Sequence, residues 1–259
     1  MTNAILAKTP MLHTYQPVAH TGIPDPTLRS QYQAIISSLL YLMLGTCPDI
    51  AYAVIKLSQF STNPSKDYFK WAKYICCYLI SIKDYSMVFD GTPKEGLIAY
   101  SDSDWAADLF NCCSITGYFF KLAGFTVSWL LRAQKTVALS STKAEYMAIS
   151  DCCRQAMCII NLFTEIGFLV MPITICGDNQ GSLFIGSNPV QEKWTKHIDI
   201  HYHYICECIK NNKVSVIFVP GTDNPTDIFT KNLDWAKFKK LCEHLGLTFR
   251  PTKKCLTDA

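Results

Sequence analysis

An α/β fold, a mixed sheet flanked by helices and preceded by a small helical segment, is what this sequence predicts. Three observations lead there. The apolar, aromatic and β-branched runs Leu97 to Ser101, Gly117 to Ala123 and Phe125 to Leu130 follow one another closely enough for an antiparallel meander. Beyond them helical and strand patterns alternate, which calls for a sheet with helices packed on it. Before them, from Ser30 to about Tyr85, only helical patterns occur. With 259 residues, 49% hydrophobic and 17% charged, the chain can bury such a core.

In chain order, residues 1–29 are rich in Thr and Pro (Pro10, Pro17, Pro24, Pro26) without periodicity, and are expected to be an extended linker. Helices are expected over Tyr32 to Leu44, over Asp49 to Phe60 behind Pro48, and over Ser65 to Ile82 behind Asn63-Pro64, forming a helical segment across 30–92. The turn Asp90-Gly91-Thr92-Pro93 closes that segment, and a domain across 96–248 follows. After its meander come a long helix from Thr142 to about Ile166, a strand Ile173 to Cys176 and a short helix after Asp178. A helix His197 to about Lys210, a strand Val214 to Val219 and a helix Leu233 to Leu245 stopped by Gly246 complete it, leaving 249–259 as a tail.

A net charge of +3 and a pI near 8.2 permit a nucleic-acid partner without demanding one. The N-terminus lacks the apolar core of a signal peptide, and Ala34 to Leu44 is too short to span a bilayer, so an intracellular protein without a membrane partner is expected. The thirteen cysteines are odd in number, include three adjacent pairs and show no Cys-x-x-Cys spacing, which favours free thiols over a disulfide framework.

Four carboxylates stand in four separate segments, each built to deliver an acid to a shared point. Converging acids repel one another unless protonated or bridged by divalent cations, and two such cations cleave phosphodiesters. Asp102 ends the first strand of the meander, where a side chain can leave the sheet edge; a turn aspartate is the alternative. Glu145 lies on one helical stripe with Ile149, Cys152, Ala156, Ile160 and Phe163, although Thr142 to Glu145 also fits a capping box. Asp178 ends the Ile-Thr-Ile-Cys strand and also suits a helix N-cap. Asp227 follows Asn224-Pro225, a cap and first-turn pair whose helix dipole would favour an acid in any case.

At these residues the chain resembles the ribonuclease H region at the C-terminal end of copia-type retrotransposon Pol polyproteins. Tyr-Ser-Asp-Ser-Asp-Trp-Ala, Ser-Ile-Thr-Gly-Tyr, Ala-Leu-Ser-Ser-Thr-Lys-Ala-Glu-Tyr, Gly-Asp-Asn-Gln, Lys-His-Ile-Asp-Ile and Phe-Thr-Lys-Asn-Leu occur in that order over about Gly96 to Leu247. Upstream, Ser-Leu-Leu-Tyr-Leu-Met-Leu-Gly-Thr-Cys-Pro-Asp-Ile-Ala-Tyr-Ala-Val resembles the connection that follows the polymerase core, while no Tyr-x-Asp-Asp polymerase motif occurs, so a polyprotein fragment is expected. The resemblance implies a five-stranded ribonuclease H-like sheet and two Mg²⁺ ions, with Mn²⁺ as a substitute, held by Asp102, Glu145, Asp178 and Asp227. It implies endonucleolytic hydrolysis of the RNA strand of RNA–DNA hybrids, and association with a reverse-transcriptase core in the parent polyprotein. Whether the site of action is a cytoplasmic particle or the nucleus is left open.

For phosphate contacts, Arg132 and Lys135 before the long helix, and Lys193 with Lys196, are the best-placed cations. His197 is an auxiliary candidate for proton transfer or product release, with a structural histidine as the alternative. His197 and His201 at i, i+4 lack the third ligand that a zinc site needs. Against the family pattern the chain has Cys47, Cys77, Cys112, Cys113, Trp194, His201 and Cys206 in place of basic residues, and Lys143 in place of an acid. These changes match cytosine deamination of arginine and glutamate codons, so a catalytically inactive, decayed nucleic-acid-binding remnant is the rival reading. An integrase or transposase core is a further rival, disfavoured by the fourth acid and by a helix placed directly after the meander.

Overall fold

The structure, a computed structural model, describes residues 7–18, 20–87, 96–107, 112–181 and 199–249, with the side chains of 199–202 and 249 left aside. Its elements in chain order are α1 (Pro26–Gly45), a 3-10 turn (Pro48–Ile50), α2 (Ala51–Ser58), α3 (Lys66–Ser81) and β1 (Tyr85–Met87). There follow β2 (Leu97–Asp104), β3 (Ile115–Leu122), β4 (Phe125–Ala133), α4 (Ser141–Glu165), β5 (Ile173–Gly177), α5 (Asp199–Lys210), β6 (Val214–Phe218), α6 (Asp227–Thr230), α7 (Trp235–His244) and β7 (Leu247–Phe249). Two compact units divide the chain, one of residues 1–89 with 232–259 and one of residues 90–231.

In the first unit α1 starts earlier than its apolar periodicity predicts, because Asp25 caps it: the Asp25 carboxylate accepts from Thr27 N–H at 2.9 Å and Leu28 N–H at 3.1 Å, and Pro26 fills the first helical position. The segment ahead of it is packed as well. Ala7 and Met11 are buried, and Tyr15 stacks on Trp71 with ring centroids 4.2 Å apart while its hydroxyl donates to Asp67. Isolated apolar residues among prolines gave no periodic signal for this. The C-terminal helix α7 also belongs to this unit, where Phe238 meets Tyr78 edge to face, and β7 pairs antiparallel with β1. No described helix is long and apolar enough to cross a membrane.

The second unit is the expected mixed five-stranded sheet, ordered β4-β3-β2-β5-β6. β2, β3 and β4 form the antiparallel meander, and β5 and β6 join β2 in parallel. This is a ribonuclease H-like arrangement. Parallel pairing needs a long crossover, which α4 supplies between β4 and β5. Its apolar stripe explains why it lies on the sheet: Ile149, Cys152, Ala156 and Ile160 are buried in one cluster with Ala99, Phe120, Ile173 and Ile175. Each such isoleucine contributes about 1.5–3 kcal/mol through burial. The short helix expected after Asp178 lies, beyond Gly181, outside the described residues.

Candidate metal centre

Strand direction sets the position of the first two acids. Tyr100 pairs with Cys176 in the parallel β2–β5 ladder, so the chain two residues further along each strand reaches Asp102 and Asp178 at the same, C-terminal end of these two interior strands. α4 brings the third. Oxygens of Asp102, Glu145 and Asp178 lie within 4.8 Å of one another, with Asp102 and Glu145 buried and Asp178 half-buried.

Glu145 does not close a capping box. Ser140 is the N-cap of α4, accepting from Lys143 N–H at 3.2 Å, whereas Glu145 reaches across to β2 and its Oε1 accepts from Ser103 N–H at 3.3 Å. Burial, and after it the negative charges of Asp102 and Asp178, push Glu145 up to about 9. Burial also raises Asp102, against the hydrogen bond from Thr230 and the charge of Lys231, and it raises Asp178, with Asp102 adding to the effect. Three hard oxygen donors that resist ionising together are a donor set suited to a hard divalent cation.

Asp227 stands beside this trio on α6. Its side chain is 2% exposed and Lys231, one turn later, forms an ion pair with its Oδ1. The expected cap reading of Asn224 gives way to a different role: Asn224 Nδ2 donates to Ser101 O at 3.1 Å and its Oδ1 accepts from Thr226 N–H at 3.2 Å, so it fastens the loop before α6 to the strand that carries Asp102. Thr230 then donates to Asp102 Oδ2. Gly117, opposite Asp102 in the β2–β3 ladder, makes room for this approach, since a Cβ there would meet Phe229 Cβ and Thr230 Cγ2 at 3.0 Å. Residue pattern alone predicts no site role for Gly117, Thr230 or Lys231, nor this fastening role for Asn224; the string Phe-Thr-Lys-Asn-Leu marks Thr230 and Lys231 only through the family resemblance.

Among the expected phosphate contacts, Arg132 is engaged by Asp151 of α4, with Nε at 3.1 Å from Asp151 Oδ2, and Lys135 is exposed. Lys193, Lys196 and His197 lie outside the described residues.

No family model matches the chain. It is 34% identical over 252 residues to the retrovirus-related Pol polyprotein from transposon RE2 of Arabidopsis thaliana, covering 95% of this chain and 17% of that protein. It is 35% identical over 214 residues to the Pol polyprotein from transposon TNT 1-94 of Nicotiana tabacum, covering 83% of this chain and 16% of that one. The chain thus spans under a fifth of the length of these curated relatives. Among solved structures, LC11-RNase H1 in complex with RNA/DNA hybrid matches 51% of this chain and 92% of its own at 14% identity and a TM-score of 0.39.

Proposed function

The chain belongs to the copia-type retrotransposon Pol polyproteins, and from that premise we propose that its 96–248 region is a metal-dependent endonuclease that hydrolyses the RNA strand of RNA–DNA hybrids. The convergence of Asp102, Glu145 and Asp178 within 4.8 Å at the C-terminal ends of β2 and β5 carries this reading. In the same reading 30–92 is the connection behind a reverse-transcriptase core, 1–29 a linker to it and 249–259 a tail, with the parent polyprotein as partner.

Asp102, Glu145 and Asp178 would hold Mg²⁺, with Asp227 completing the set for a second ion, and Mn²⁺ would substitute. Bound there, the ions supply an activated water and charge stabilisation at the leaving oxygen. The side chains prepare the site. Thr230 fixes one oxygen of Asp102, and Ser103 N–H fixes one oxygen of Glu145, so that both carboxylates are held in place. Burial and the neighbouring acids favour the protonated form of Glu145, and a cation held there would take the place of that proton. Lys135, Lys193 and Lys196, with Arg132 once released from Asp151, would contact phosphates, and His197 would assist product release. Contacts to the 2′-hydroxyl would restrict cutting to RNA.

The test is incubation of the purified chain with a labelled RNA–DNA hybrid in Mg²⁺, beside Asp178→Asn. The parent should cut the RNA strand and the folded variant should not; an active Asp178→Asn chain removes the acids from the mechanism. Hybrid binding by a folded parent chain without cleavage would favour the decayed remnant, a reading supported by the exposed Cys112 and partly exposed Cys113, Cys77 and Cys206 where basic residues are expected.

A further inference from the structure

Asp227 and Lys231 sit one helical turn apart, the acid buried and the lysine side chain 46% exposed. Resting on the reading of Asp102, Glu145 and Asp178 as a cation site, we infer that Lys231 is a positioning residue that serves as a built-in counter-cation, holding Asp227 until a second divalent ion displaces its ammonium.

Three observations carry this. The Lys231 ammonium is bonded to Asp227 Oδ1, so one oxygen of the fourth acid is already taken. Lys231 follows directly on Thr230, whose hydroxyl donates to Asp102 Oδ2, so the lysine extends from the same turn that touches the trio. Being half-exposed, the side chain can swing to water without disturbing buried packing. Asp227 itself is held from the other side, because α6 is fastened through Asn224 to Ser101 and through Thr230 to Asp102. The acid stays in place while the lysine moves.

The two ions therefore bind unequally. The first enters the trio of Asp102, Glu145 and Asp178 with Lys231 still paired. The second competes with the ammonium for Asp227 and binds more weakly. Lys231 also lessens the repulsion among the acids when no divalent ion is present, so it protects the metal-free fold.

Manganese titration of the full chain, read by electron paramagnetic resonance, tests this against Lys231→Gln and Lys231→Arg. The parent and Lys231→Arg should show one tighter and one weaker Mn²⁺, and in Lys231→Gln the weaker site should tighten by about tenfold, the effect of removing one like-charged neighbour at short range. Metal-free Lys231→Gln should melt at a lower temperature than the parent and gain more from Mn²⁺. Identical isotherms for the folded parent and Lys231→Gln would overturn the inference while leaving the metal site intact; no Mn²⁺ bound by any of the proteins would remove both. Should Lys231→Gln fail to fold, carbon-13 shifts of the Lys231 methylene next to the ammonium decide the matter in the parent alone. They should move to the free-lysine position with the second Mg²⁺, and an unchanged signal through saturation overturns the inference.

Discussion

Glu145 concentrates the electrostatic cost of this site in one side chain. It is 7% exposed, shares its surroundings with two other acids and takes a backbone hydrogen bond from Ser103. Its pKa rises from the ordinary 4.5 to about 9, so the folded chain holds a proton that the unfolded chain has lost between those pH values. Glu145→Gln removes the charge and keeps the shape. The metal-free variant should therefore be more stable than the parent at pH 8, by up to about 5 kcal/mol, with no gain at pH 4, as thermal melts at both pH values would show. It should also cut no hybrid, because an amide is a poor ligand for a hard cation. A parent and variant with the same stability at pH 8 would mean that Glu145 is ionised and solvated there. The acids Asp102, Glu145 and Asp178 were legible in the sequence because each stands near the end of a strand or interrupts an apolar helical stripe, although β2 runs two residues past Asp102, to Asp104. Lys231 was not, since its meaning depends on a one-turn helix that has no periodicity to read.

Secondary elements reach this site through close contacts at residues without chemistry of their own. α6 is a single turn, too short to be stable alone, and lies where it does because Asn224 fastens it to β2 and Gly117 leaves space for Phe229 and Thr230. Gly117→Ala should lower stability by about 1–3 kcal/mol in urea unfolding and weaken Mn²⁺ binding, as α6 is pushed off Asp102. Asn224→Ala leaves Ser101 O without its side-chain donor and should cost about 1–3 kcal/mol in the same measurement. If both substitutions leave stability and Mn²⁺ affinity at parent values, α6 is not what orients Asp102. The long elements were readable for physical reasons: α4 repeats apolar residues at helical spacing, and the meander strands are rich in aromatic side chains. The three-residue strands β1 and β7, Tyr85–Met87 and Leu247–Phe249, were not, because their pairing comes from the surrounding chain and three residues carry no period.

For the whole molecule, the raised carboxylate pKa values tie stability to pH and to cations together. The sign is fixed by protons held in the folded state: without divalent ions, stability is fullest below about pH 4.5 as far as Glu145 is concerned and declines as pH rises toward 9. Under the proposed function, divalent ions held by the folded chain should raise its melting temperature more at pH 8 than at pH 5, with a stabilisation of about 2.7 kcal/mol at a concentration one hundred times the dissociation constant. Calorimetry with and without Mg²⁺ at the two pH values checks this, and an equal effect at both would separate metal binding from the acids. The parallel β2–β5 ladder has one more consequence, for timing. Asp102 and Asp178 come side by side only after two strands far apart in the chain have paired in the right register, the kind of contact that chains make late in folding. Under the proposed function, a newly made or half-assembled chain would then have no place to lodge a cation, and would remain harmless to the RNA around it until its sheet was complete.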